Sequence, residues 1–388
     1  MKTEHTSKAA TQPKLAGAEI LRFFSARWFI AIMGTGAVAN ILQLLSGRSE
    51  GLLHGLAVGF LSASVAAFPV LLILLASRFW IDRALLIKEL EHSSLVQFYS
   101  AIFISAAVCA TGLVNIPLGF LSPATSLGLA KLFWGMSLLF GLFLAIFTPW
   151  RIITLNHGEL RRILGFWFLP PVGLFVLVFA GNFLALKTGE ASWINNMAVL
   201  NALLLGVSMF LSLMLFTMFL LRAFAFPFPQ MDVVPSFTIG LAPVGVSIIA
   251  LLSYLPLIAE AGKMQFVPLA TLAPLIQFLA LLLWGFGLWW FFVSLAISLT
   301  AFKREGIPFT LGYWAFIFPP AAFTIATLVL GQATGLALVQ SVGQVLAYAV
   351  FVAWWVVAAL TLRGIVNGSI FNLPASFAEI LPSAKKSA

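Results

Sequence analysis

The sequence predicts an all-α integral membrane protein built from ten membrane-spanning helices. Three observations predict it. Of 388 residues, 62% are apolar and only 9% are charged, against about 25% charged in soluble domains. Mean hydropathy is +1.08. The few charges crowd into short segments between apolar runs of roughly 18 residues or more, long enough to cross a bilayer. Ten crossings use most of the chain, so a separate soluble domain is excluded. Residues 1–24 read as an N-terminal tail, 25–365 as the membrane domain and 366–388 as a C-terminal tail. No cleavable signal peptide is visible in the polar first 24 residues.

The spans follow in order. The first, 28–46, comes after Arg22 and Arg27 and carries Met33-Gly34-Thr35-Gly36. The second, 52–77, opens on Gly51, Gly55 and Gly59, four apart, a helix-contact pattern within one protomer or between protomers. The third, 95–116, carries Ala101, Ser105, Val108, Gly112 and Asn115 at helical spacing. The fourth is 124–148. The fifth, 166–186, contains Leu169-Pro170-Pro171-Val172-Gly173. The sixth, 194–222, and the eighth, 267–300, are long enough to tilt or to extend beyond the bilayer. The seventh, 236–258, contains Leu241-Ala242-Pro243-Val244-Gly245, with Gly240, Pro243 and Ser247 on one face. The ninth, 311–333, contains Phe318-Pro319-Pro320-Ala321, within a stripe of Gly312, Ala315, Pro319, Ala322 and Ala326. The tenth is 337–362.

Odd-numbered spans begin near residues 28, 95, 166, 237 and 311, a step of about 70 that predicts a repeated helical hairpin. Prolines recur near the same end of spans five, seven and nine. Within a helix each predicts a kink, whose freed carbonyls need protein or water beside them. Small-residue faces either let helices approach closely or line a narrow path; both readings stay open. The even spans, heavy in Phe and Leu, read as lipid-facing.

With both termini on one side, that side holds 17 Lys and Arg and the other holds 4. By the positive-inside rule both termini are cytoplasmic. The net charge of +9 therefore reads as orientation in the bilayer, with no nucleic-acid partner. Cys109, the single cysteine, excludes an intrachain disulfide and a cysteine-rich metal site, and its apolar neighbours predict a packed thiol.

Arg27-Trp28-Phe29 leading into Met33-Gly34-Thr35-Gly36, together with Tyr313-Trp314 followed by Phe318-Pro319, resembles the tellurite-resistance/dicarboxylate transporter family over about residues 22–365. That family includes malate permeases, sulfite efflux pumps, tellurite-resistance proteins and slow anion channels. The resemblance implies five hairpins around a quasi-fivefold axis, odd helices lining a central pore, a homotrimer, and a helix-9 phenylalanine plugging the pore, here Phe318. It implies membrane transport of anions, with C4-dicarboxylates such as malate as the leading substrates. Sulfite or tellurite export, or a chloride- or nitrate-type conductance, is the alternative.

The residues agree with a neutral path. No Asp or Glu falls within a predicted span, so the intramembrane carboxylate relays of many proton-coupled carriers have no counterpart here. No cation falls at depth either, and conduction needs sites weak enough to leave. Hydroxyls, amides and kinked backbone can hold an anion instead. The residues expected along the path are Gly34, Thr35, Gly36, Ser105, Asn115, Pro170, Pro243, Ser247 and Pro319, with Phe318 as gate and Arg27 at the cytoplasmic vestibule. Thr35, Ser105, Asn115 and Ser247 serve equally well as helix–helix hydrogen bonders. Arg22, Arg161, Arg162 and Arg222 could focus anions at the mouth or simply set topology. His54 and His157 read as interfacial. No constellation of His, Asp and Glu with a nucleophile is present, which argues against an enzyme; no metal or other cofactor is expected. A bacterial inner membrane is the expected location.

Overall fold

The structure, a computed structural model, describes residues 21–47, 51–155, 160–262 and 266–371. His157, most of both predicted tails, Arg48 and Lys263 lie outside these residues. Among the described residues, ten helices are long and apolar enough to cross a membrane. Five inner helices are α1 (Phe29–Ser46), α4 (Ser100–Asn115), α6 (Leu169–Thr188), α8 (Leu241–Glu260) and α10 (Phe318–Thr334). Five outer helices are α2 (Leu52–Ile81), α5 (Pro123–Leu155), α7 (Ala191–Ala225), α9 (Leu269–Arg304) and α11 (Ala337–Val366). A short helix not anticipated from the sequence, α3 (Arg83–Glu91), lies between the first two hairpins. Its charges break the apolar run, so hydropathy gave no sign of it.

Each inner helix packs on the outer helix that follows it, which is the hairpin repeat. The inner helices also touch one another in a closed cycle: α1 on α4, α4 on α6, α6 on α8, α8 on α10, and α10 back on α1. Within the apolar windows, 61–94% of inner-helix residues are buried, against 22–33% in the outer helices. The outer helices expose large apolar side chains such as Ile146, Phe210, Phe278 and Val352, the surface that lipid tails cover. Gly55 and Gly59 on α2 have open space around them, so they form no contact face within the protomer.

Indole N–H groups pin outer helices to inner ones. Trp134 Nε1 donates to the Leu177 carbonyl at 3.1 Å, Trp284 Nε1 to Thr327 Oγ1 at 3.1 Å, and Trp354 Nε1 to Thr35 Oγ1 at 3.1 Å. A buried amide relay joins three helices: Asn201 Nδ2 donates to Asn182 Oδ1 at 2.7 Å, and Asn182 Nδ2 to Ser253 Oγ at 3.0 Å. Polar bonds of this kind hold helices together where no hydrophobic drive separates protein from lipid.

Every inner helix is entered through a 3-10 turn at the same end: Ala26–Trp28, Val96–Tyr99, Gly165–Phe168, Met231–Gly240 and Leu311–Phe316. This corrects the expected kinks within the cytoplasmic halves of these helices. Pro170 and Pro171 of α6, Pro243 of α8, and Pro319 and Pro320 of α10 all lie in the first turn of their α-helices. There a missing N–H forfeits no ladder bond and the fixed φ suits helix entry. They mark the seam between 3-10 and α geometry. At the opposite end, Gly189 (φ 71°) and Gly335 (φ 71°) stop α6 and α10 in the left-handed conformation.

The end bearing the 3-10 turns is also the arginine-rich end. Here Arg78, fully buried, grips Glu89 of α3 in a fork (2.8 and 3.0 Å), and Tyr99 OH donates to Glu89 Oε2 at 3.0 Å. Asp82 caps α3 by accepting from the Leu85 N–H at 3.0 Å and pairs with Arg22 Nε at 2.7 Å. Burial opposes the Asp82 charge, but the Leu85 N–H and the Arg22 guanidinium outweigh it, and its pKa falls below the ordinary aspartate range.

Candidate functional site

Two chambers lie inside the ring, and all five inner hairpins contribute to the lining of each. The narrow chamber, about 40 Å³, sits at the arginine-rich end among the 3-10 turns. That is room for roughly three water molecules. Its wall includes Arg27, Met33, Asp232, Ser236 and Pro319. The wide chamber, about 490 Å³, runs to the opposite end. Its polar lining is neutral: Asn40, Gln43, Thr111, Asn115 and Gln332. Asn115, Gln332 and Gly47 are exposed at its rim.

Phe318 belongs to both walls. It is the first residue of α10 and is 3% exposed. The two linings also carry apolar residues from the other inner helices, with Met33 and Ala37 from α1, Val108 from α4 and Val246 from α8. Its ring stacks on no other aromatic among the described residues, so rotation would break no stacking contact. The preceding 3-10 turn is anchored by Thr238 Oγ1, which donates to the Ala315 carbonyl at 2.6 Å.

Arg27 is 6% exposed and its Nε donates to Ser25 Oγ at 3.0 Å. Ser236 is 4% exposed, and its hydroxyl has no partner among the described residues. A guanidinium and an unspent hydroxyl thus line the same small space, a pair able to donate to an anion. Asp232 shares that wall and tempers the field.

Of the path residues expected from the sequence, Phe318, Pro319, Asn115 and Arg27 line a chamber. The others are absent from both linings. Gly34 and Gly36 serve close packing: a Cβ on Gly34 would stand 2.9 Å from Trp314, and one on Gly36 would stand 2.7 Å from Val108. Thr35 Oγ1 donates to the Ala31 carbonyl at 2.8 Å and accepts the Trp354 indole, facing the outer layer. Ser105 and Ser247 are buried and bond to carbonyls of their own helices. Pro170 and Pro243 are buried in the first turns of α6 and α8. The two motifs that carried the resemblance therefore meet in space, with Gly34 seating Trp314, whose indole donates to Thr361 Oγ1 at 3.1 Å. Three of the expected mouth arginines, Arg161, Arg162 and Arg222, line a separate cavity, and Arg22 is spent on Asp82. His54 is half-buried at the start of α2 with its Nδ1 2.8 Å from Gln43 Oε1.

Sequence reasoning missed Ser236, Asp232, Asn40, Gln43, Thr111 and Gln332. A signal did exist for the wide chamber. Asn40 and Gln43, Thr111 and Asn115, and Gln332 are polar residues spaced three or four apart, or standing alone, near the same end of three inner helices.

The family model described as voltage-dependent anion channel, SLAC1, matches residues 23–362. An "uncharacterized transporter" of Methanocaldococcus jannaschii is 26% identical, covering 91% of this chain and 97% of the relative. The sulfite efflux pump SSU1 of Arthroderma benhamiae is 25% identical over 90% of this chain and 92% of its own length. The malic acid transport protein of Schizosaccharomyces pombe is 22% identical over 90% and 80%. The match over nearly the whole chain, on a fold of ten apolar helices, shows that this protein belongs to the SLAC1 family of voltage-dependent anion channels and related transporters, and that it is a membrane transporter of anions and not an enzyme.

Proposed function

We propose that anions cross this protein along the axis of the inner ring, from one chamber to the other, and that Phe318 is the gate between them. The observation that carries this reading is that one aromatic ring contributes to both walls. An ion in a dry apolar constriction loses its hydration with nothing in return, so the path conducts only when the ring moves aside. A narrow chamber of about 40 Å³ fits the closed state.

The five inner helices make a quasi-fivefold ring, with the arginine-rich end and both termini in the cytoplasm of a bacterial inner membrane. Arg27 and Ser236 collect the anion on that side. The neutral amides and hydroxyl of the wide chamber pass it on without trapping it. The open face of Gly55 and Gly59 supports assembly as a homotrimer with one path in each protomer.

The substrate class we assign is C4-dicarboxylates such as malate, in keeping with the malic acid relative. The wide chamber of about 490 Å³ leaves space for such a molecule with water around it. A second reading, a smaller oxyanion such as sulfite, draws support from Arg27, the single cation of the narrow chamber among the described residues. A second carboxylate would meet no further arginine there. The test is uptake of labelled malate and of sulfite into vesicles holding the purified protein, each with the other as competitor. Saturable malate uptake supports the first assignment. Sulfite uptake that excess malate does not inhibit supports the second. Flux of no anion at all would overturn both.

A further inference from the structure

The strongest unassigned feature is a polar cavity of about 330 Å³ at the arginine-rich end, outside the ring. Its walls carry Arg161 and Arg162 from the turn before α6, Arg222 from the last turn of α7, His92, Gln230 and Val233. Arg222 is 6% exposed. Its Nε reaches the Arg161 carbonyl at 3.3 Å, and its terminal nitrogens have no protein partner among the described residues. Arg161 is exposed and its guanidinium likewise bonds nothing among them. Two guanidinium groups thus share one cavity with no carboxylate paired to either among the described residues. Burying a cation uncompensated is costly, and like charges around one cavity add repulsion. An anion with several oxygens between them offsets both penalties.

Guanidinium forks match the oxygens of a phosphate. His92, on the same wall, holds the turn in place: its Nδ1 accepts the Ser94 and Leu95 N–H groups at 3.2 and 3.3 Å. Nearby Arg304 stands over the Phe228 ring at 5.8 Å, and Phe224 is 84% exposed.

We propose that this cavity binds a phosphate group, separately from the transport path. Val233 belongs both to its wall and to that of the narrow chamber, so the bound group would sit directly behind the 3-10 turn carrying Asp232 and Ser236. The proposal does not depend on the identity of the transported anion or on Phe318 as gate.

The experiment uses the full chain, delipidated in detergent. Heat-induced unfolding is followed with added inorganic phosphate, or after transfer to bilayers of phosphatidylglycerol or of phosphatidylcholine. Binding of phosphate is titrated calorimetrically in parallel. A soluble source predicts stabilisation by phosphate. A headgroup source predicts stabilisation by phosphatidylglycerol beyond phosphatidylcholine. In either case Arg161→Gln with Arg222→Gln weakens binding at least tenfold, and Arg161→Gln alone weakens it severalfold in a chain with an unaltered core. The proposal is overturned if neither probe stabilises the protein, or if Arg161→Gln binds as the wild type does.

Discussion

Removing the Phe318 ring should open the path. To conduct, the wild-type ring must leave a site where it is 3% exposed. Withdrawing a fully buried Phe side chain costs roughly 1.5–3 kcal/mol. That cost is part of the barrier for every opening, and Phe318→Ala abolishes it. At about 1.4 kcal/mol per tenfold in rate, flux should rise roughly ten- to a hundredfold. Because chambers adjoin the ring on two sides, the cavity left behind joins existing space, and the stability loss should fall below the 3–5 kcal/mol typical of a core Phe→Ala change. The assay is current across planar bilayers containing the purified protein, with malate, sulfite, chloride and nitrate in turn. Phe318→Leu should give an intermediate gain. Unchanged current in Phe318→Ala, from protein that elutes and melts like the wild type, would refute the gate and return Phe318 to packing.

Arg27→Gln should raise the KM for anion uptake about tenfold or more, since a charge-assisted hydrogen bond contributes about 1.5–3 kcal/mol; Arg27→Lys should recover part of it, measured as concentration-dependent flux. Gly34→Val should lower stability by about 1–3 kcal/mol through overpacking against Trp314, read from the unfolding temperature in detergent, because the Thr361 bond keeps the indole from yielding. Glu89→Gln should destabilise by about 3–5 kcal/mol by stranding the buried Arg78 charge, whereas Glu89→Leu with Arg78→Met should restore most of it. Equal losses in the single and double variants would show that the pair contributes no charge balance.

Hydropathy made the ten spans legible to within a few residues, because the bilayer demands length and apolarity whatever the packing. The hairpin repeat was legible from spacing. The lining of the path was not. Inner helices are buried by one another and by the outer layer along most of their length, so apart from the few polar residues at the wide chamber's end no polar face marks the axis. Gly34, Gly36 and Ser105 looked like lining residues because they are small, yet smallness is equally what close packing needs. Asp232 escaped notice because it lies in a 3-10 turn ahead of the predicted span, and Ser236, at the first position of that span, because nothing in the sequence sets its hydroxyl apart from a helix-capping one. The prolines were legible as a repeat, but their role depended on where each α-helix begins, a boundary that composition blurs. Phe318 was found through the Phe-Pro motif alone; among 38 phenylalanines nothing else distinguished it.

The claim that the ring axis is the anion path, divided at Phe318, is tested most directly by sided chemical block. With Cys109, itself buried, replaced by Ala, a single cysteine is placed at Asn115 in the wide chamber or at Thr310 in the narrow one. An anionic, membrane-impermeant thiol reagent is then applied to one side of the bilayer at a time. The account predicts that Asn115→Cys is blocked only from the side opposite the arginine-rich end, and Thr310→Cys only from the arginine-rich side. Both should become reachable from either side once Phe318→Ala is added. Flux that neither modification reduces, or block from both sides with Phe318 in place, would contradict it.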